Sequence, residues 1–331
     1  MSTPHTLRRR TLLATAIGAL AMPLSSWAQS APTYPKADTV LRYIVPFTPG
    51  GLTDVMARLV GQQLAERWKV NVVIDNKPGA GAMLGAEQAV RAPADGYNIL
   101  AVNMTHSVNA TLFNGRVKFD LSKDLKPVAF LAGSPVLVVV PANSPIHSLH
   151  DLVAAAKQRP LNAGSSGLGT PSHLSLALFN QLNGTSIQHI PYKGGSPSLA
   201  DLMAGQVDVI FSNFPESIPF VKAGKLRAIA IATDQRNAQV PDVPTTAEVG
   251  MPKLNVEQWT AVMAPAATPD DVVEALSKEL VQIMQIPEVV SKSTELGFRV
   301  DPKGPAAFAA FWNAEVQRWG EVIAAAGITA D

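Results

Sequence analysis

Strand-like and helix-like segments alternate along almost the whole chain, and this rhythm limits the fold more than any other feature. Val40 to Phe47 is apolar and β-branched and stops at Pro46-Phe47-Thr48-Pro49-Gly50-Gly51. A helix with Val55, Leu59, Val60 and Leu64 on one face follows. Strand patterns at Val70–Ile74 and Tyr97–Val102 flank a second helix near Ala86–Val90. Such a βαβα order predicts an α/β fold with a mostly parallel sheet covered by helices. Residues 103–127 are less regular. Pro127 to Pro141 reads as a long apolar strand interrupted by Gly133-Ser134-Pro135, a crossing between lobes. A second βα series then runs to Ala232, a late strand covers Trp259–Ala264, and the rest reads as helix to Ala325. Two series and two crossings predict two lobes: 29–131 with 253–331, and 132–252.

The first residues carry an export layout. Arg8, Arg9 and Arg10 precede an uncharged stretch from Thr11 to Leu24, and Ser26-Trp27-Ala28 offers small residues before a cut after Ala28. The apolar run is too short to span a bilayer, so residues 1–28 read as a cleaved signal peptide. Arg9-Arg10 also hints at the twin-arginine route. Their removal takes three Arg and no acid from a formal net charge of +1, leaving −2. A near-neutral chain has no electrostatic footprint for nucleic acid. The chain has no cysteine, which excludes thiolate metal sites, cysteine nucleophiles and disulfides.

Three Gly-rich loops each follow a strand and open a helix, where ligands gather in open α/β sheets. Free N–H groups at helix starts attract anions, and glycine lets the backbone come close. In Phe47-Thr48-Pro49-Gly50-Gly51-Leu52-Thr53-Asp54, Gly50 and Gly51 can expose consecutive N–H groups, with Thr53 or Asp54 as cap; an ordinary strand-to-helix turn reads the same way. The stretch Gly79-Ala80-Gly81-Ala82-Met83-Leu84-Gly85 is one residue too long for a dinucleotide fingerprint and reads as a tight turn before a close-packed helix. The third, Ala163-Gly164-Ser165-Ser166-Gly167-Leu168-Gly169-Thr170-Pro171-Ser172-His173, offers hydroxyls and a proline suited to a first helical turn. It is neither a P-loop nor a nucleophile elbow, since no Gly-Lys-Ser/Thr follows and Leu168 replaces the last elbow glycine. His147, His150 and Asp151 fit a solvated helix cap better than a metal site. His106 and His189 fall near strand ends, and no Ser, His and Asp set stands out. The residues therefore predict no catalytic centre, no metal and no cofactor.

Together the loops resemble one family. Val45 to Asp54, Asn76-Lys77-Pro78-Gly79-Ala80-Gly81, Ala94-Asp95-Gly96-Tyr97, Gly167 to Leu174, and Pro191-Tyr192-Lys193-Gly194-Gly195 with Asp201 to Asp208 are similar, in order, to the Bug or TctC family. These are periplasmic receptors of tripartite tricarboxylate transporters. Thr48 stands where the family more often has Pro or Ala, and Ala82 where a further Gly is usual; the former can alter ligand choice, the latter reads as a packing matter.

The resemblance implies a monomeric, type II-like periplasmic binding protein whose two lobes close over a small organic acid. It implies that Phe47, Thr48, Gly50, Gly51 and Asp54 on one lobe, and Ser165, Ser166, Gly169, Thr170 and His173 on the other, hold one carboxylate through backbone groups and waters. The far end of the ligand would meet Asn103, Thr105 and His106, then Tyr192, Lys193 and Asn213. Phe47 and Tyr192 would pack on the ligand's body, and Asp208 would be structural. Permease subunits of such a transporter, or a sensor kinase, are the implied partners. An exported hydrolase in the same cleft would need a nucleophile and base that the sequence does not present.

Overall fold

The computed structural model describes residues 34–329; the expected signal peptide lies outside them. β1 (Val40–Val45) runs parallel to both β2 (Asn71–Asn76) and β3 (Asn98–Asn103). The crossovers are α1 (Leu52–Trp68) and α2 (Met83–Val90). α1 buries Met56, Val60 and Leu64, one residue in four, against the sheet. Val55 and Leu59 are only half-buried, so the buried stripe is rotated from the expected one.

β4 (Leu125–Pro141) joins everything. Residues up to Pro135 pair antiparallel with β9 (Glu257–Pro265), which also pairs antiparallel with β3. From Val136 onward the partners are β7 (Val209–Asn213) and β8 (Leu226–Ile231), again antiparallel. β5 (Asn162–Ser165) lies parallel to β6 (Gln188–Pro191) and to β7. The strand order is β2-β1-β3-β9-β4-β7-β5-β6, with β10 (Arg299–Lys303) also on β4. The sheet is therefore mixed, which corrects the expectation of mostly parallel strands: β4 and β9 run against the strands on both sides.

Gly133-Ser134-Pro135 does not interrupt β4. Pro135 falls where the strand exchanges β9 for β7, a place where a missing N–H costs little. Almost every β4 residue is buried, which explains the apolar run without alternation.

The remaining helices are α3 (Met104–Leu112), α4 (Leu149–Gln158), α5 (Pro171–Asn183), α6 (Gly195–Met203), α7 (Phe214–Lys222), α8 (Asp270–Ile283), α9 (Pro287–Glu295) and α10 (Pro305–Ala326). α3 is a correction, since that region was expected to be irregular. One core packs α1 and α8 on β1 and β3, and another packs α6 and α7 on β4 and β7. The largest core runs through both parts of β4 and includes Phe179, Phe211, Trp259 and Trp319. α10 packs on both α3 and α5. Among the described residues no helix is long and apolar enough to cross a membrane.

Candidate functional site

The loop after β1 is tied by Asp54. The helix starts at Leu52 with Gly51 as its cap residue and no side-chain cap. Thr53 and Asp54, the expected caps, are buried inside the first turn. Asp54 Oδ2 accepts from Gly50 N (2.8 Å) and Arg58 Nε (2.9 Å), and Oδ1 accepts from Asn76 Nδ2 (2.8 Å). Burial pushes the Asp54 carboxyl up, but Arg58, the Gly50 amide and Asn76 outweigh it and hold the group below the usual range. The same Asn76 amide donates to Phe47 O (3.0 Å). Gly51 N donates to Thr48 O at 3.4 Å. Both glycine amides are thus turned inward, contrary to expectation. The donors left at this turn are the first N–H groups of an α1 without a side-chain cap.

The loop after β5 is organised around Ser165 and His173. Ser165 Oγ accepts from Gly167 N (3.1 Å) and lies 2.5 Å from His189 Nε2. Thr170 caps α5 by accepting from His173 N (3.5 Å), while its hydroxyl donates to Gly167 O (2.7 Å). Gly169 N donates to His173 Nδ1 (3.1 Å). The His173 ring stacks on His189 with centroids 3.8 Å apart and planes 11° apart. Burial, aided by the neighbouring His189, pushes His173 down to about 4, and burial lowers His189 as well. Neutral His173 is what the bond from Gly169 requires, because a protonated Nδ1 cannot accept. Ser166 is half-buried, one residue beyond β5.

These two turns meet across a cavity of about 520 Å³. Phe47, Thr48, Thr105, Gly169 and Thr170 line it, so five of the expected residues share one wall. The wall also carries Pro78, Gly79, Gly81 and Ala82, a loop assigned above to packing alone. Leu112 and Phe113 of the α3 end and the exposed Leu168 complete its apolar part. A Cβ on Gly169 would lie 3.6 Å from Leu112, so the two sides come close there.

Asn103 and His106 stand behind this wall. Asn103 Oδ1 accepts from Thr105 N (3.0 Å), and His106 Nδ1 accepts from Asn103 N (3.2 Å), a reciprocal cap at the start of α3. His106 is fully buried, edge-on to Phe47 with centroids 5.9 Å apart, and burial pushes it down to about 4. Its Nε2 has no hydrogen-bond partner. His173 borders a different cavity of about 450 Å³, with His189, Asn180 and Thr185. Among the described residues no group of three His, Cys, Asp or Glu could hold a metal ion.

Residues 56–328 match the model of the tripartite tricarboxylate transporter family receptor, TctC. The chain belongs to this family. It is a family of solute-binding receptors, not of enzymes. The chain is 36% identical to the "UPF0065 protein in tcbD-tcbE intergenic region" of Pseudomonas sp. strain P51, over 96% of this chain and 94% of that one. It is 33% identical to protein BugT of Bordetella pertussis, over 90% and 92%. Among solved structures, a periplasmic transporter superposes with a TM-score of 0.77 at 36% identity, covering 90% of this chain and 100% of that one. An R. palustris protein with adipate gives 0.77 at 34%, covering 90% and 99%. MatC from Rhodopseudomonas palustris with bound malate gives 0.73 at 30%, covering 86% and 99%.

In this TctC-family chain the remaining expected contacts lie along the β6 and β7 turns. Tyr192 O faces Gly167 of the β5 turn, where a Cβ would lie 3.4 Å away. The Tyr192 hydroxyl donates to Asp201 Oδ2 (2.7 Å), and burial together with Asp201 pushes it up to about 12. Lys193 is exposed. Asn213 is buried and donates from Nδ2 to Glu216 Oε1 (3.0 Å). Asp208 accepts from Arg159 Nη2 (2.9 Å) and Asn162 N (2.8 Å), a structural knot at the foot of β5. Sequence reading missed Leu112, Phe113 and Leu168. Only Leu168 gave a signal, as a bulky residue inside a Gly-Ser loop.

Proposed function

We propose that this TctC-family chain is a periplasmic receptor that captures a small organic carboxylate between two lobes and delivers it to the permease subunits of a tripartite tricarboxylate transporter. The observation that carries the reading is the cavity walled by the turns after β1 and β5. Strand-to-helix turns from two halves of the chain converge there, and ligand held by both would favour a closed state. The lobes are taken as 29–131 with 253–331, and 132–252, near the point where β4 exchanges partners after Pro135. Related receptors solved with malate and adipate support the ligand class.

The energetics suit a site without a charged clamp. Hydrogen bonds to an ionised group are worth about 1.5–3 kcal/mol each. Three or four, gross, compare with the ~8 kcal/mol of micromolar affinity before ordering costs. The first-turn N–H groups of α1, the hydroxyls of Thr48 and Ser166, and bridging waters can supply that number. The test is titration calorimetry of the purified protein against malate, adipate, succinate, benzoate and glucose. Micromolar binding of at least one acid and none of glucose is expected. Binding of glucose with no acid bound would sink the ligand claim.

A further inference from the structure

The sheet edge that carries the Ser165–His173 loop holds a carboxylate of its own. Glu216 sits in the first turn of α7, just past the carboxyl end of β7. Gly195, the first residue of α6, packs so closely on it that a Cβ there would lie 2.1 Å from Glu216 Oε2. Neither α6 nor α7 has a side-chain cap at its start. β6 and β7 both run parallel with β5, so these two helix starts share an edge with the Ser165–His173 loop. Contacts link them: Gly167 faces Tyr192 O, the Tyr192 segment leads to Gly195, and Gly195 abuts Glu216.

Two helix N-termini side by side would ordinarily welcome an anion. Here the chain supplies that anion itself. Glu216 is half-buried, with one carboxylate oxygen against Gly195 and the other bonded to the Asn213 amide. Asn213, with 9% of its surface exposed, donates its amide to Glu216 and leaves Oδ1 with no hydrogen-bond partner. A buried acceptor beside a carboxylate calls for a donor, and a second ligand carboxylate has none to give.

We infer that the cleft extends along this edge to Glu216 and takes a monocarboxylate whose far end carries a neutral hydrogen-bond donor, and that Glu216 is the specificity residue that rejects a second carboxylate. This deepens the receptor reading above and rests on it. A second carboxylate brought to this end would face a like charge in a partly dry place, which disfavours both ionised forms. A hydroxyl or amide there would instead satisfy Asn213 Oδ1.

The test uses matched acids that differ only at the far end: succinate against 4-hydroxybutyrate, adipate against 6-hydroxyhexanoate, and terephthalate against 4-(hydroxymethyl)benzoate. Calorimetry on the wild type should find the hydroxy acid tighter than its diacid by about ten-fold or more in the pair that fits best. Glu216→Gln keeps the shape and the bond to Asn213, and should narrow that gap by about ten-fold, mainly by strengthening the diacid. A wild type that binds a diacid as tightly as its hydroxy partner overturns the inference without need of any variant. So does a folded Glu216→Gln protein with unchanged selectivity. If no acid of either kind binds, the receptor reading itself fails.

Discussion

Two alanines of the turn at 79–82, one of them in the cavity wall, adopt a backbone shape that suits glycine. Ala80 has φ +47° and Ala82 φ +75°, alternating with Gly79 and Gly81, which are also at positive φ. Left-handed backbone costs a residue with a Cβ about 1–2 kcal/mol. Sequence reading treated Ala82 as a packing matter only, because nothing in its neighbours says that the turn is left-handed. Ala80 is exposed, so Ala80→Gly gives up no packing. It should raise the unfolding free energy by about 0.5–1 kcal/mol after the extra freedom of glycine in the unfolded chain is counted. Ala82 is buried, and Ala82→Gly forfeits about 0.8 kcal/mol of methyl burial, leaving little net change. Urea midpoints of the two variants should therefore differ; equal shifts would contradict the assignment. The same limit applies at the site. Phe47, Thr48 and Gly169 could be foreseen because a loop after a strand must face the ligand edge. The turning of His173 away to stack on His189 could not, because side-chain direction at a helix start is settled by neighbours distant in sequence.

At the scale of elements, α10 shows how a buried charge holds a helix in place. Glu315 is 8% exposed, and its Oε2 accepts from Trp259 Nε1 of β9 (3.0 Å) and Trp319 Nε1 of α10 (2.9 Å). Glu315→Leu would leave two buried indole donors unpaired, at about 1–3 kcal/mol each. The variant should lose about 2–5 kcal/mol in urea unfolding, while Glu315→Gln, which keeps an acceptor, should lose less. Equal losses would show that the indoles do not depend on this carboxylate. α10 itself was legible from its apolar period. α3 was not, because Thr105, His106, Ser107 and Asn109 hide its apolar stripe and its reciprocal cap uses His106 in place of Glu or Gln. β10 escaped notice because Pro302 sits inside a five-residue strand that pairs only with β4.

For the whole molecule, buried neutral histidines tie stability to pH. His106 stands near 4 in the folded protein against an ordinary 6.5, and His173 is displaced in the same direction. Below 6.5 the unfolded chain takes up protons that the folded chain refuses, so stability is full above about 6.5 and drains away as pH falls toward 4. For the fully buried His106 the loss between pH 7.5 and 4.5 should be about 2–3 kcal/mol. Glu216 works against this. Its carboxyl is raised by burial, so the folded state gains a proton first and recovers part of the loss on acidification. His106→Gln separates the contributions, because glutamine can still accept from Asn103 N and so keep the cap while removing the titration. Urea unfolding of both proteins at pH 7.5 and 4.5 should show the variant losing about 2–3 kcal/mol less than the wild type. Parallel losses would mean that His106 becomes charged in place. Its Nδ1 could then no longer accept from Asn103 N, so the start of α3 behind Phe47 would have to rearrange.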